Sequence, residues 1–77
     1  MEISVRLYGS LRDKLPAEKR GKAMIELMPS ATVDDLLTLL HLGQGVSVSI
    51  NEGIVKDRNR PLIDGETVII FTQSAGG

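Results

Sequence analysis

The stretch Thr67-Val68-Ile69-Ile70-Phe71 constrains this chain more than any other. Successive side chains of a strand point to opposite faces, so a run this apolar offers hydrophobic surface on both sides. A strand of that kind belongs in the middle of a sheet, with neighbours on either flank. The remaining sequence must therefore supply flanking strands and a cover for at least one face.

It supplies both. Glu2-Ile3-Ser4-Val5-Arg6-Leu7-Tyr8 alternates with Ile3, Val5 and Leu7 on one face, the pattern of a half-buried strand. After Gly9-Ser10, Leu11 and Leu15 share one face of a short helical turn before Pro16, and Ala17 to Lys22 reads as an exposed loop. Ala23 to Met28 forms a second strand with Ala23, Ile25 and Leu27 inward and Met24 and Met28 outward; Pro29-Ser30 ends it. The spacing predicts a helix of about ten residues from Thr32, with Val33, Leu36, Leu37 and Leu40 as its core-facing stripe. Thr32 with Asp35 approximates a capping box, and Asp34-Asp35 complement the positive helix end. Gly43 is placed to end the helix in the left-handed region.

Val46 to Asn51 alternates again, Asn51-Glu52-Gly53 carries turn chemistry, and Ile54-Val55 suffices for a short edge strand. Asp57 to Pro61 reads as loop, and Asp64-Gly65 turns the chain into the last strand. The order β-β-α-β-(β)-β, with the last strand central beside the first, gives an α+β fold. It is a mixed sheet of four to five strands closed over one main helix, the β-grasp arrangement. Residues 1–77 are expected to form a single domain, with 72–77 as an extended, flexible tail.

Composition narrows the function. The chain has no cysteine, which removes disulfides, thiolate nucleophiles and cysteine metal sites, and fits a reducing cytosol. Nine basic against ten acidic residues leave a net charge of −1, whereas nucleic-acid binding favours a basic excess, so nucleic acid is not an expected partner. Met1 leads straight into an alternating strand, and no run of about 18 apolar residues exists, so neither signal peptide nor membrane span is expected. The expected location is cytoplasmic. His41 is the sole histidine and has no clustered ligands around it, so no metal is expected. Its place near the helix end suits a cation against the dipole. Arg58 and Arg60 are expected to be solvated loop residues.

Beyond Phe71 the chain reads Thr72-Gln73-Ser74-Ala75-Gly76-Gly77. These small side chains offer a core little, and six extended residues reach about 20 Å, enough to enter a narrow channel in another protein. Glycine allows the closest backbone approach. A diglycine alone is weak evidence, because a frayed end reads the same way. Directly after a β-grasp pattern it carries weight.

Together these features resemble the small ubiquitin-like sulfur carriers MoaD and ThiS over essentially the whole chain. The specific elements are Arg6-Leu7-Tyr8-Gly9-Ser10-Leu11-Arg12, Thr32-Val33, Ile50-Asn51, Pro61-Leu62-Ile63-Asp64-Gly65-Glu66-Thr67-Val68 and Gly76-Gly77. The resemblance implies that a ubiquitin-activating-like adenylyltransferase, using ATP, activates the Gly77 carboxylate, which then becomes a thiocarboxylate. It implies a larger sulfur-accepting synthase subunit as second partner and molybdopterin synthesis as the leading pathway. The protein would then be a cosubstrate or small subunit, with no bound cofactor of its own, rather than a stand-alone catalyst. Thiamine-pathway sulfur transfer, conjugation to other proteins through Gly77, and a plain β-grasp interaction module are the alternatives.

The strand pattern also defines a surface. With Val68 and Ile70 toward the helix, Ile69 and Phe71 emerge on the far face, beside Arg6 and Tyr8 of the first strand. One helix covers one side of a sheet, so this far face is a candidate docking patch. Ser74 and Ala75 of the tail are expected to share in partner contact, with Gly76 and Gly77 as the reacting end.

Overall fold

The computed structural model describes residues 1–43 and 45–72. Five strands, β1 (Glu2–Leu7), β2 (Lys22–Glu26), β3 (Val46–Ile50), β4 (Gly53–Val55) and β5 (Thr67–Thr72), form one sheet in the order β2-β1-β5-β3-β4. β1 and β5 run parallel and every other pairing is antiparallel. The strand that is apolar on both faces therefore lies in the centre, next to the first, as its composition required.

Helix α1 (Val33–Leu39) crosses one face. Its first turn is fully capped. Asp35 N–H donates to Thr32 Oγ1 at 3.3 Å, and Thr32 N–H donates to Asp35 Oδ2 at 2.9 Å. The N–H groups of Val33 and Asp34, which no helical carbonyl can reach, donate to the carbonyls of Arg60 and Arg58 at 3.0 and 2.8 Å. The capping box thus forms with Asp in the role usually given to Glu.

At the other end the structure corrects the sequence reading. The helix is shorter than ten residues, and the left-handed position belongs to His41 (φ 58°) rather than Gly43. Leu42 N–H donates to Leu37 O at 2.9 Å and His41 N–H to Thr38 O at 3.0 Å, which together are a Schellman motif. Its apolar contact uses Leu42 and Leu37, both buried. A glycine two residues on drew attention from a cap that the buried leucine dictates.

Between helix and sheet lie Ile3, Val5, Leu7, Leu36, Leu37, Val48, Ile50, Val68 and Ile70, closed below by Leu11 and Leu62. The segment after β1 is a 3₁₀ helix (Gly9–Lys14) that buries Leu11 and leaves Leu15 half-buried, and a second 3₁₀ turn (Ala17–Lys19) precedes β2. Ala23 and Ile25 of β2, and Leu27 just past its end, are only half-buried, since a helix of this length cannot reach the sheet margin. Met24 and Met28 are exposed, as the alternation requires.

Candidate functional site

The uncovered face of the sheet is built by register. Arg6 is level with Ile69, Ile69 with Ser49, and Ser49 with Ile54, so one row of side chains crosses from β1 through β5 and β3 to β4. Phe71 is level with Ser47 in the next row. Tyr8 N–H donates to Ile70 O at 3.0 Å, which keeps Tyr8 beside β5 after β1 has ended. Arg6, Tyr8, Ile69 and Phe71 are therefore brought to one face. Ile69 and Phe71 are half-buried, Arg6 is exposed and Tyr8 is 49% exposed.

Small and hydroxylated residues, Ser4, Ser47, Ser49 and Thr67, surround these apolar groups and leave them accessible. Ile54, 54% exposed, extends the patch toward β4. Sequence reasoning assigned Ile54 an edge strand but no role; the two-residue Asn51-Glu52 hairpin loop was the signal that sets its register against Ser49. The patch lies at the end of the sheet where β5 finishes at Thr72. Ser74, Ala75, Gly76 and Gly77, the predicted tail contacts and reacting end, lie outside the described residues.

Adjoining the patch through Ile69 and Ser49, toward the start of β5, a shallow depression of about 440 Å³ is bordered also by Glu52, Asp64 and Glu66. Its carboxylates make it a poor seat for an anion. Glu66 is moreover committed to Arg60, through Nη1 to Oε1 at 3.2 Å and Nη2 to Oε2 at 2.9 Å. Those hydrogen bonds hold the Glu66 carboxyl below its ordinary range and raise Arg60, with burial opposing each shift. Arg58 pairs with Asp34 at 2.9 Å. Both arginines expected to be free loop residues are thus tied down, while Asp34 and Asp35 act in pairing and capping. His41 is exposed at the helix end. Among the described residues there is no group of three or more His, Cys, Asp or Glu able to hold a metal ion, and no helix long and apolar enough to cross a membrane.

A five-stranded mixed sheet over one helix, with its central strand parallel to the first, is the ubiquitin-like β-grasp fold. The ThiS family model matches residues 5–77, and the chain belongs to that family of ubiquitin-like sulfur carriers. No curated protein matches the sequence significantly. Among solved structures, SAMP1 of Haloferax volcanii, small archaeal modifier protein 1, aligns at TM-score 0.77 and 16% identity over 100% of both chains. A Pyrococcus furiosus protein assigned as molybdopterin converting factor subunit 1 aligns at 0.76 and 22%, over 94% of this chain and 97% of its own. A chain from the complex of molybdopterin-converting factor subunits 1 and 2 of Helicobacter pylori aligns at 0.67 and 20% over 100% of both.

Proposed function

We propose that this chain carries sulfur as a thiocarboxylate on Gly77 and delivers it in cofactor biosynthesis, with molybdopterin as the product. The observation that carries the reading is the extent of the family match, which includes the diglycine along with the strands and helix. A free carboxylate resists nucleophilic attack, whereas its mixed anhydride with AMP has a good leaving group. A persulfide sulfur displaces AMP to give an acyl disulfide, and a second thiol reduces that disulfide to release the thiocarboxylate. The body of the chain supplies no catalytic groups in this scheme. They come from an ATP-using, ubiquitin-activating-like adenylyltransferase.

Residues 1–77 act as one cytoplasmic domain; Thr72, expected to open the tail, is instead paired with Val46 at the end of β5, so the presented tail is 73–77. The second partner is a larger synthase subunit, a reading supported by the likeness to the Helicobacter pylori subunit complex. Arg6, Tyr8, Ile69 and Phe71 dock the body, while Ser74 and Ala75 line the path that Gly76 and Gly77 follow into the partner. Incubation with the cognate activating enzyme, ATP and a sulfur donor should replace one oxygen by sulfur in the intact mass. Deleting Gly76 and Gly77 should abolish the change with the fold intact. An unchanged mass with an activating enzyme shown to be competent overturns the proposal.

The likeness to small archaeal modifier protein 1 favours a second reading, conjugation to proteins. The same activated Gly77 would then meet a lysine amine in place of sulfur. Diglycine remnants on lysines of other proteins are its signature.

A further inference from the structure

We propose that β2 is a self-complementary edge that pairs antiparallel with β2 of a second copy, centred on Met24. This pairing is independent of the carrier chemistry. β2 is one margin of the sheet, and β1 occupies its other side. Leu27 N–H donates to Met1 O and Leu7 N–H to Gly21 O, so Leu27 and Gly21 are turned toward β1. Alternation then turns the backbone groups of Lys22, Met24 and Glu26 outward, away from β1. In an antiparallel pair centred on Met24, each of these residues exchanges both backbone hydrogen bonds: Met24 with its own copy, Lys22 with Glu26.

Charge selects this register. Lys22 and Glu26 lie equally far from Met24 on the uncovered face, and all three are exposed, Met24 at 58%. The pairing therefore sets Lys22 against the second copy's Glu26 twice. Within one copy, the neighbouring residues make each end worse. Arg6 stands level with Lys22, and Glu2 with Glu26, two like-charged cross-strand pairs at opposite ends of β2. Like charges in that position destabilise a sheet. Within one copy Glu26 also meets the Met1 nitrogen, at 3.2 Å. The two-fold pairing lays the basic end of each copy along the acidic end of the other, giving rows Arg6–Lys22–Glu26–Glu2 across the junction. Charges on an edge normally deter pairing, because most registers place them badly. Here only the symmetric register satisfies them, so they specify one partner strand.

Two strands joined edge to edge bury far less than a stable dimer interface, so the association is weak and concentration-dependent. Sedimentation equilibrium and amide exchange over a concentration series test it on the full chain. Lys22, Met24 and Glu26 amides should gain protection as concentration rises, while those of β4 stay unchanged. Lys22→Glu and Glu26→Lys should each weaken dimerisation roughly tenfold, because an opposite pair becomes a like pair at both ends. The double swap should restore it. Lys22→Glu also places a carboxylate beside Arg6, so monomer stability should rise as the dimer is lost, which separates association from folding. A chain that stays monomeric throughout, or a dimer indifferent to the single swaps, overturns the proposal.

Discussion

Arg60 and Glu66 meet as a fork, two hydrogen bonds at 3.2 and 2.9 Å, and Glu66 Oε1 also accepts from Ile63 N–H at 2.8 Å. This closes the loop that sends Leu62 into the core and aims the Arg60 carbonyl at the first turn of α1. Replacing Arg60 by Ala takes the paired cation from a carboxylate whose side chain is 8% exposed and leaves it the Ile63 N–H. A loss of about 1–3 kcal/mol is expected in chemical denaturation. The double variant with Glu66→Gln should lose less than the two single changes summed.

The same pair sets an acid limb. Arg60 depresses the Glu66 pKa in the folded state, so the carboxylate stabilises the fold fully above its ordinary, unfolded-state range. That contribution is lost as pH falls through the depressed folded value. Arg60 stays charged throughout, its own pKa being raised. Thermal melts of the wild type should decline across this acidic window. Glu66→Gln should be less stable at neutral pH and show a flatter decline.

The sheet order was legible because one feature, an apolar final strand, admits few positions, and because Ile3, Val5 and Leu7 alternate without a break. The uncovered face was legible for the same reason: once Val68 and Ile70 turn inward, Ile69 and Phe71 have nowhere else to go. What the sequence withheld were interactions between segments far apart in it. Nothing local indicates that Arg58 reaches Asp34, or that carbonyls from 58 and 60 cap a helix beginning at 33. Gly43 misled for a related reason, since the cap is decided by where Leu42 finds a buried contact.

Gly21 lies under a tighter restriction than any turn glycine. Its φ is +75°, it is buried, and a Cβ there would sit 2.5 Å from the Leu7 carbonyl oxygen. The left-handed backbone alone costs an L-residue roughly 1–2 kcal/mol, and the β1 backbone cannot retreat without breaking the Leu7–Gly21 hydrogen bond. Gly21→Ala should cost at least about 2 kcal/mol in a denaturant titration, and a change within experimental error would contradict this packing.

The β3–β4 turn offers the opposite opportunity. Asn51 and Glu52 have φ of 54° and 67°, both left-handed, as a type I′ hairpin demands at its two central positions. Asn suits the first, but Glu pays a steric penalty at the second. Glu52→Gly completes the favoured Asn-Gly pair and should raise stability by up to about 1 kcal/mol, read as a higher melting temperature.

Adjacent residues of β5 should separate stability from recognition. Ile70 is fully buried against the helix, so Ile70→Ala opens a cavity and should cost about 2–5 kcal/mol. Ile69 points to the uncovered face beside Arg6 and Ser49, and Ile69→Ser should cost about 1 kcal/mol or less. If that face docks the activating enzyme, Ile69→Ser should raise the KM for the carrier roughly tenfold and leave kcat unchanged, the mark of binding energy lost equally from ground and transition states. Ile70→Ala, assayed at a temperature where it remains folded, should leave that KM within about twofold. The two side chains are one residue apart, so a diffuse disturbance of β5 would move both values together. Only a true division between core and docking face gives the crossed pattern.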